Sequence, residues 1–407
     1  MGSSFSYIIA RRLSLQKGSG TSRLIIRIAT GAVALSIAVM IISIAIVKGY
    51  QSEIRSKIIG FSTHIQISSL DMNNSFETTP IYRDTVLEKL LKKNSHVTHL
   101  QPFAIKAGIF KTKEDFSGVV LKGIDTTYDW RFIEQHIIAG TTLFLNKDSV
   151  SNSVLLSKVL ADKLKLKVGD NVLLYIAQEP PRVRKFTICG IYHTGLEEMD
   201  RLYAFVDIQQ VQRLNQWSAN AISGYEVGLD TYAMMDEVAT ELLGNLPYYL
   251  EIHTIRDLFP QMFDWLNLLD LNVWVIIILM IIVACINMAT ALLILIVERS
   301  NMIGLLKAMG ANNQSISRIF VYMASYLIFW GMIIGNIVGL VLCLSQQYSG
   351  WFKLSQEAYY LSEVPILLEF TDVLFINMGS FVICYIVLLL PATFVSKVTP
   401  IKAIRFQ

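Results

Sequence analysis

Charged residues are scarce in this sequence. Of its 407 residues, 16% are charged and 53% are hydrophobic, whereas about 25% of the residues in soluble domains are charged. This composition excludes an ordinary soluble globular protein and indicates a membrane protein.

Cysteine is also rare. Of the four cysteines, Cys189 lies between the first and second long apolar runs, while Cys285, Cys343 and Cys384 lie within apolar runs. A single cysteine cannot form a disulfide framework in the segment that holds it, even in an oxidising compartment. We interpret the four cysteines as isolated buried thiols.

Catalytic and nucleotide-binding motifs are missing. The sequence contains no G-x-x-x-x-G-K-[ST], no H-E-x-x-H and no G-x-S-x-G, which excludes a P-loop for nucleotide phosphates and argues against common hydrolase sites. Among the six histidines only His96 and His99 are close in sequence, too few ligands for zinc. We expect a non-catalytic chain that binds no metal or cofactor itself.

Four long apolar runs are present instead. They occupy residues 24–48, 271–297, 319–344 and 373–396, and each is long enough for the roughly 20 residues that cross a bilayer as a helix. The first run is longer than the apolar region of a signal peptide and lacks a small-x-small cleavage site, so we interpret it as a retained anchor.

The flanking charges predict the orientation. Basic residues dominate an amphipathic segment at 1–23, the loop 298–318 and the tail 397–407, whereas acidic residues dominate 345–372. Because lysine and arginine mark the cytoplasmic side, we place both termini and the 298–318 loop in the cytoplasm. Residues 49–270 then form an extracytoplasmic domain.

The sequence pattern of residues 49–270 predicts an α+β domain. Short amphipathic helical patterns alternate with strand patterns such as "HLQPFAIKAGIFKT" and "FSGVVLKGID", which favours helices packed against antiparallel strands. Acidic and basic residues nearly balance here, so no nucleic-acid partner is expected. The first membrane helix is predicted to continue to Gly60, and a continuous helix after Pro260 to lead into the second.

The stretch "VERSNMIGLLKAMGANNQSISRIF" links the second and third apolar runs. Met302, Ile303, Leu306 and Met309 mark one side of a short helix, and Gly310 ends it. Asn312 or Asn313 is predicted to cap the next helix. Such a helix suits docking of a partner protein; the alternative is an interfacial helix whose apolar side touches lipid.

Three glycines are spaced by four residues in the third run. Gly331, Gly335 and Gly339 share one helix face, and this small-xxx-small spacing favours close helix packing in lipid. A locally flexible helix is the alternative. Asn287 and Asn336 are polar at membrane depth, where we expect hydrogen bonds between helices.

These motifs together resemble the FtsX-like ABC transporter permeases, specifically the lipoprotein-releasing transmembrane subunits of the Lol type. The resemblance covers the start "FSYIIARRLSLQKG", the stretch "SKVLADKLKLKVGDNVLLY", the 298–318 loop and the tail "VTPIKAIRF". In the loop, the family's pattern is occupied by Glu298, Arg299, Ile303, Gly304, Leu306, Lys307, Ala308, Gly310, Ala311 and Ile316.

The resemblance implies a permease subunit in the cytoplasmic (inner) membrane of a double-membraned bacterium. Two such subunits, each with four helices, would bind two ATPase subunits that carry the ATP and magnesium. Lipoproteins would be extracted from the outer leaflet and passed to a periplasmic carrier, with movement transmitted mechanically through the helices. The 49–270 domain would be a MacB-like periplasmic domain.

Site residues follow from the same resemblance. Residues 298–311 would receive the ATPase movement, and the first two helices would line a cavity for acyl chains near Ala34, Ile41, Leu271 and Val275. The short basic connection "AQEPPRVRKF" occupies the position of a carrier-binding loop. Its candidates for carrier contact are Pro180, Pro181, Arg182 and Arg184, with an ordinary exposed turn as the alternative.

Competing functions remain open at this point. An FtsX-like scaffold would transmit ATPase movement to a periplasmic cell-wall hydrolase, and a four-helix sensor would bind a ligand in its outer domain. The sequence also leaves open whether the second permease is a paralogue or a second copy, which lipoproteins are carried, and the direction of transport.

Overall fold

A computed structural model describes residues 20–71, 76–146, 149–178 and 181–393. The chain divides into two compact units. The membrane unit contains the described residues up to Ser52, Trp265–Lys353 and those from Glu363 onwards, and the inserted unit contains Glu53–Asp264 and Leu354–Ser362. The first two boundaries between the units fall within helices.

The helices and strands are numbered separately along the chain. The helices are α1 (Gly20–Ser62), α2 (Thr85–Leu91), α3 (Arg131–Gln135), α4 (Lys158–Leu164), α5 (Glu197–Leu202), α6 (Ile208–Asn215), α7 (Met235–Leu243), α8 (Ile255–Leu258), α9 (Pro260–Glu298), α10 (Ser300–Ala308), α11 (Asn313–Ser349), α12 (Gln356–Tyr359) and α13 (Phe370–Ala392). The strands are β1 (Ile65–Ser69), β2 (Ile81–Tyr82), β3 (Val97–Lys111), β4 (Phe116–Ile124), β5 (Ile137–Gly140), β6 (Ser153–Ser157), β7 (Asn171–Ile176), β8 (Arg182–Tyr192), β9 (Tyr203–Asp207), β10 (Ala221–Ile222), β11 (Gly224–Leu229) and β12 (Leu250–Thr254).

Four helices in the described part of the chain are long and apolar enough to cross a membrane. They are α1, α9, α11 and α13, which agrees with the four apolar runs. Helix α1 extends beyond its apolar run to Ser62, two residues past the predicted end, and α9 begins at Pro260 as predicted. Proline suits this first helical position because its missing N–H would be unpaired there anyway.

The glycines of α11 lie against α1. A Cβ atom added at Gly335 would come within 2.6 Å of the Ala34 carbonyl oxygen, and one at Gly331 within 2.9 Å of the Val33 side chain. At Gly339 the nearest atom is the Ala38 Cα, at 3.2 Å. The two backbones therefore approach more closely than larger side chains would allow, which is how small residues favour helix association in lipid.

Helix α13 contacts α11 and α9 through polar groups. The amides of Asn336 and Asn377 donate to each other's side-chain oxygens at 2.7 and 2.9 Å, so both are satisfied at membrane depth. The thiols of Cys285 in α9 and Cys384 in α13 lie 3.8 Å apart. These two cysteines, expected to be isolated, are in fact neighbours.

The inserted unit is built on one large mixed sheet. Its strand order is β12-β1-β11-β3-β4-β9-β6-β8-β5, with β7 paired to β3 and β8. Most neighbours are antiparallel, as expected, but β4 with β9 and β6 with β8 are parallel. The expectation of antiparallel strands alone was therefore incomplete, because parallel pairs join segments far apart in the chain.

A buried ion pair lies in the core of this sheet. The Lys122 ammonium is 2.6 Å from the Glu226 carboxylate, and both side chains are at most 4% exposed. Lys122 also donates to the Phe61 carbonyl oxygen, and Gln101 donates to Glu226. The pair thus connects β4, β11 and β3 to the end of α1.

Replacing one partner of this ion pair should leave the other charge buried without a counter-ion. We expect Lys122→Met to cost about 3–5 kcal/mol of unfolding free energy, because Glu226 would stay buried without its cation. Adding Glu226→Gln should recover part of the loss. Thermal unfolding of the detergent-solubilised chain, followed by near-ultraviolet circular dichroism, measures both effects.

The control for this substitution is Lys165→Met, since Lys165 pairs with Glu114 on the surface. Its expected effect is within about 0.5 kcal/mol. Equal melting temperatures for the two lysine variants would contradict the role assigned to the buried pair.

A buried histidine makes stability depend on pH. His64 Nδ1 accepts a hydrogen bond from the Leu229 N–H at 3.0 Å, and burial lowers the pKa of His64 from 6.5 to about 4. Between these values the unfolded chain binds a proton that the folded chain does not. The stabilisation is therefore complete above about pH 6.5 and is lost as the pH falls towards 4.

We expect His64→Gln to flatten this dependence, because glutamine does not titrate yet can still accept a hydrogen bond. The measurement is the difference in melting temperature between pH 7 and pH 5 for the wild type and the variant. His96→Gln, at a more exposed ring, controls for the loss of a histidine. An unchanged difference in His64→Gln would refute the assignment.

Candidate functional site

The loop between α9 and α11 forms a short, well-defined helix. Helix α10 ends before Gly310, whose φ of +88° is a backbone conformation that favours glycine. The Asn312 side chain then accepts a hydrogen bond from the Gln314 N–H and caps α11. Gly310 and Asn312 thus correctly predicted where α10 ends and where α11 begins.

Helix α10 buries one face in the membrane unit. Ile303 and Leu306 belong to its apolar core, together with Ile316 and Phe320, and Gly304 is also buried. Ile303, Gly304 and Leu306, three residues of the predicted coupling set, therefore hold the helix in place rather than present a surface. The other members are exposed (Glu298, Ala308, Gly310) or half-buried (Arg299, Lys307, Ala311).

Two apolar side chains in and just after α10 are exposed, which the sequence pattern did not predict. Leu305 is 62% exposed and Met309 is 61% exposed. Met309 had been expected beside Ile303, but α10 ends at Ala308, one residue earlier. Leu305 is exposed whereas the adjacent Leu306 is buried, so the doubled leucine was the available signal. We call Leu305, Ala308 and Met309 the α10 outer face.

A second candidate site is a cavity in the membrane unit. Its volume is about 480 Å³, and residues of α1, α9 and α13 line it. The apolar lining residues of these helices are Met40, Ile44, Val47, Val273, Trp274, Ile277, Ile281, Phe375, Ile376 and Ile383. Three charged residues also line it: Lys48, Asp270 and Asp372. Apolar walls with a few charged groups suit an amphipathic ligand.

The four residues predicted from the sequence are not among those that line this cavity. Ala34 and Ile41 are buried on the α1 face that meets α11, and Leu271 and Val275 are 60% and 49% exposed. Helices α1 and α9 both line this cavity, as does α13, which the sequence analysis did not name. The sequence did not indicate which side of each helix faces the cavity, because residues around the whole circumference are apolar and carry no phase signal.

The candidate carrier loop lies at the β7–β8 hairpin. Pro181 and Arg184 are exposed, while Arg182 is half-buried and donates to the Arg213 carbonyl oxygen at 3.1 Å. Pro180 lies outside the described residues. The structure thus leaves Arg184 as the exposed basic side chain of the predicted set.

An apolar sheet face adjoins this hairpin. Tyr175 is paired in register with Ile109 on β3 and with Val183 on β8, and all three are between 37% and 48% exposed. Phe116 and Leu173 continue the same face one row further on, opposite Lys111. Such a patch is a typical protein-interaction surface. Sequence alternation alone did not reveal it, because the opposite face of these strands is apolar as well.

Comparison with known families agrees with this architecture. The model of the MacB-like periplasmic core domain matches residues 28–244, and that of the FtsX-like permease C-terminal region matches residues 274–400. The chain belongs to the FtsX-like permeases that carry a MacB-like periplasmic core domain. The resemblance inferred from the sequence motifs is thereby confirmed.

Similarity to individual known proteins covers nearly the whole chain. The lipoprotein-releasing system transmembrane protein LolE of Haemophilus influenzae is 24% identical, covering 91% of this chain and 92% of LolE. LolC of Xylella fastidiosa is 23% identical, with 92% of each chain covered. LolC of Neisseria meningitidis is 21% identical, with 99% of each covered. Both units of this FtsX-like permease therefore have counterparts in single known proteins.

The burial of α10 can be tested by paired leucine substitutions. We expect Leu306→Ala to cost about 2–5 kcal/mol, because it leaves a cavity in the core, and Leu305→Ala to change the unfolding free energy by about 0.5 kcal/mol or less. Thermal unfolding in detergent compares the two variants. Equal destabilisation would mean that α10 is rotated differently about its axis.

Proposed function

We propose that the chain is a permease subunit of an ATP-driven complex that releases lipoproteins from the inner membrane. The observation that carries this proposal is the end-to-end similarity to proteins named as lipoprotein-releasing transmembrane subunits. In this role the chain extracts lipoproteins from the outer leaflet and passes them to a periplasmic carrier. It performs no catalysis itself.

The membrane cavity supports this function. Its walls from α1, α9 and α13 are apolar and fit acyl chains, and its charged residues suit a polar head. Transfer of an acyl chain from lipid into such a cavity gains little hydrophobic energy, because lipid tails are equally apolar. The energy for extraction must therefore come from elsewhere.

That energy would come from a separate ATPase. The chain lacks a P-loop sequence, so ATP and Mg²⁺ would bind to two ATPase subunits, which dock on the cytoplasmic side. The α10 outer face offers exposed Leu305 and Met309 for this contact. Since Ile303 and Leu306 fix α10 to the membrane unit, a push on α10 reaches the long helices directly.

The remaining assignments follow from this arrangement. Both termini and α10 are cytoplasmic, and the inserted unit is periplasmic. A second permease, either a paralogue or another copy of the chain, completes the complex. The carrier docks at the β7–β8 hairpin, where Arg184 and the apolar sheet face around Tyr175 are exposed.

The proposal is tested by purifying the tagged chain with its partners from native membranes. A P-loop ATPase should co-purify, and the complex in proteoliposomes should release a labelled lipoprotein to a soluble carrier only with ATP. We expect Leu305→Glu to reduce bound ATPase at least about tenfold, since about 1.4 kcal/mol of lost contact suffices, and to reduce release accordingly.

Leu305→Met is the matched control, because it keeps an apolar side chain of similar volume on the same face. It should retain both the ATPase and release. Co-purification of a cell-wall hydrolase without lipoprotein release would favour the regulatory alternative. Wild-type release by Leu305→Glu would refute the docking role of α10.

A further inference from the structure

A separate groove in the membrane unit lies between the start of α11 and the end of α13. Its volume is about 410 Å³, and we call it the α11–α13 groove. The Ser317 hydroxyl donates to the Ala392 carbonyl oxygen at 2.9 Å, so the second turn of α11 lies level with the last turn of α13. The groove is therefore on the side of the membrane unit where α10 joins α11.

The length of α13 places the groove at one edge of the bilayer. Helix α13 has 23 residues, which gives about 35 Å at 1.5 Å per residue. This length matches a hydrocarbon core of roughly 30 Å. The last turn of α13, and with it the mouth of the groove, therefore lies where the acyl chains meet the lipid headgroups.

The lining of the groove changes from polar to apolar along both helices in the same direction. The residues at its mouth are polar: Gln314, Ser317, Arg318 and Thr393. The lining residues one to two turns deeper are apolar or aromatic: Val321, Tyr322, Leu389 and Tyr385. A polar mouth above an apolar trough matches a single lipid, with its headgroup at the edge and an acyl chain lying along the helices.

The charge of the mouth favours an anionic headgroup. Arg318 is exposed, and none of the described residues that line the groove is acidic. A guanidinium group can bind a phosphate through two parallel hydrogen bonds. The membrane cavity of α1, α9 and α13 differs in this respect, because Asp270 and Asp372 line it beside Lys48. Of these two spaces, the α11–α13 groove is the one whose charge attracts a phosphate.

Two tyrosines support the same depth. Tyr322 follows Arg318 by one turn on the same side of α11, and Tyr385 lies on the α13 wall of the groove. Their side chains are 37% and 38% exposed. Tyrosine is enriched at membrane–water interfaces, where its amphipathic ring lies at the level of the headgroups. The tyrosines and the arginine thus independently indicate a lipid interface.

We propose that the α11–α13 groove binds one anionic phospholipid from the leaflet that adjoins α10. Arg318 binds the phosphate of the headgroup, and one acyl chain lies against Leu389 and the Tyr385 ring. This inference goes beyond the proposed function, because the lipid is a resident ligand of the permease and not its cargo. It does not depend on lipoprotein release.

The test measures lipid binding to the full chain in detergent by native mass spectrometry. The probes are phosphatidylglycerol and phosphatidylcholine with identical acyl chains. We expect the wild type to bind phosphatidylglycerol about fivefold more tightly, the contribution of one basic residue near an anionic headgroup. Arg318→Gln should lose this preference, whereas Arg318→Lys, which keeps the charge, should retain most of it.

Two further variants separate the headgroup from the acyl chain. Lys353→Gln is the matched control, because it removes an exposed cation that follows the other end of α11 and does not line the groove. It should keep the wild-type preference. Leu389→Trp places a bulkier side chain in the apolar trough and should weaken the binding of both lipids alike.

Four results would overturn the proposal. The first is equal affinity of the wild type for both lipids. The second is displacement of phosphatidylglycerol by inorganic phosphate, which would make the groove an anion site without a lipid. The third is an unchanged preference in Arg318→Gln together with loss of a co-purifying ATPase, which would assign the groove to a protein contact. The fourth is wild-type binding of both lipids by Leu389→Trp, and this result decides the question even if Arg318→Gln fails to fold.

Discussion

The close approach of α1 and α11 is the constraint on which the membrane unit depends. Lipid supplies no hydrophobic drive for helix association, so contact must come from backbones that fit together and from paired polar groups. Gly331, Gly335 and Gly339 allow the close backbone fit against α1. Asn336 and Asn377 form the polar pair between α11 and α13.

This contact also sets the rotation of α1 about its axis and hence which of its residues line the cavity. With Ala34 and Ile41 turned towards α11, Met40, Ile44 and Lys48 face α9 and α13. Lys48 can then reach Glu369 and Asp372 at the start of α13. A packing seam that contains no functional group thus determines which side chains a substrate would meet.

The two candidate sites of the membrane unit lie near opposite ends of α9. Asp270 lines the cavity, and Glu298 ends the helix just before α10. At 1.5 Å per residue they are separated by roughly 40 Å. A movement at α10 can act on the cavity only through rigid helices or their packing, since the described residues of α9 form one unbroken helix. The burial of Ile303 and Leu306 provides the required attachment at the α10 end.

The sequence by itself determined the four membrane helices, the inserted α+β domain, the end of α10 before Gly310, the start of α11 at its cap Asn312, and the family. These features depend on local composition, periodicity and capping, which neighbouring residues suffice to encode. Only the tertiary structure decided the parallel strand pairs, the rotation of α1 and α9 about their axes, the outward turn of Leu305 and Met309, and the contact between Lys48 and Asp372. Those two residues are 324 positions apart, and uniformly apolar helices carry no signal for which face meets which neighbour.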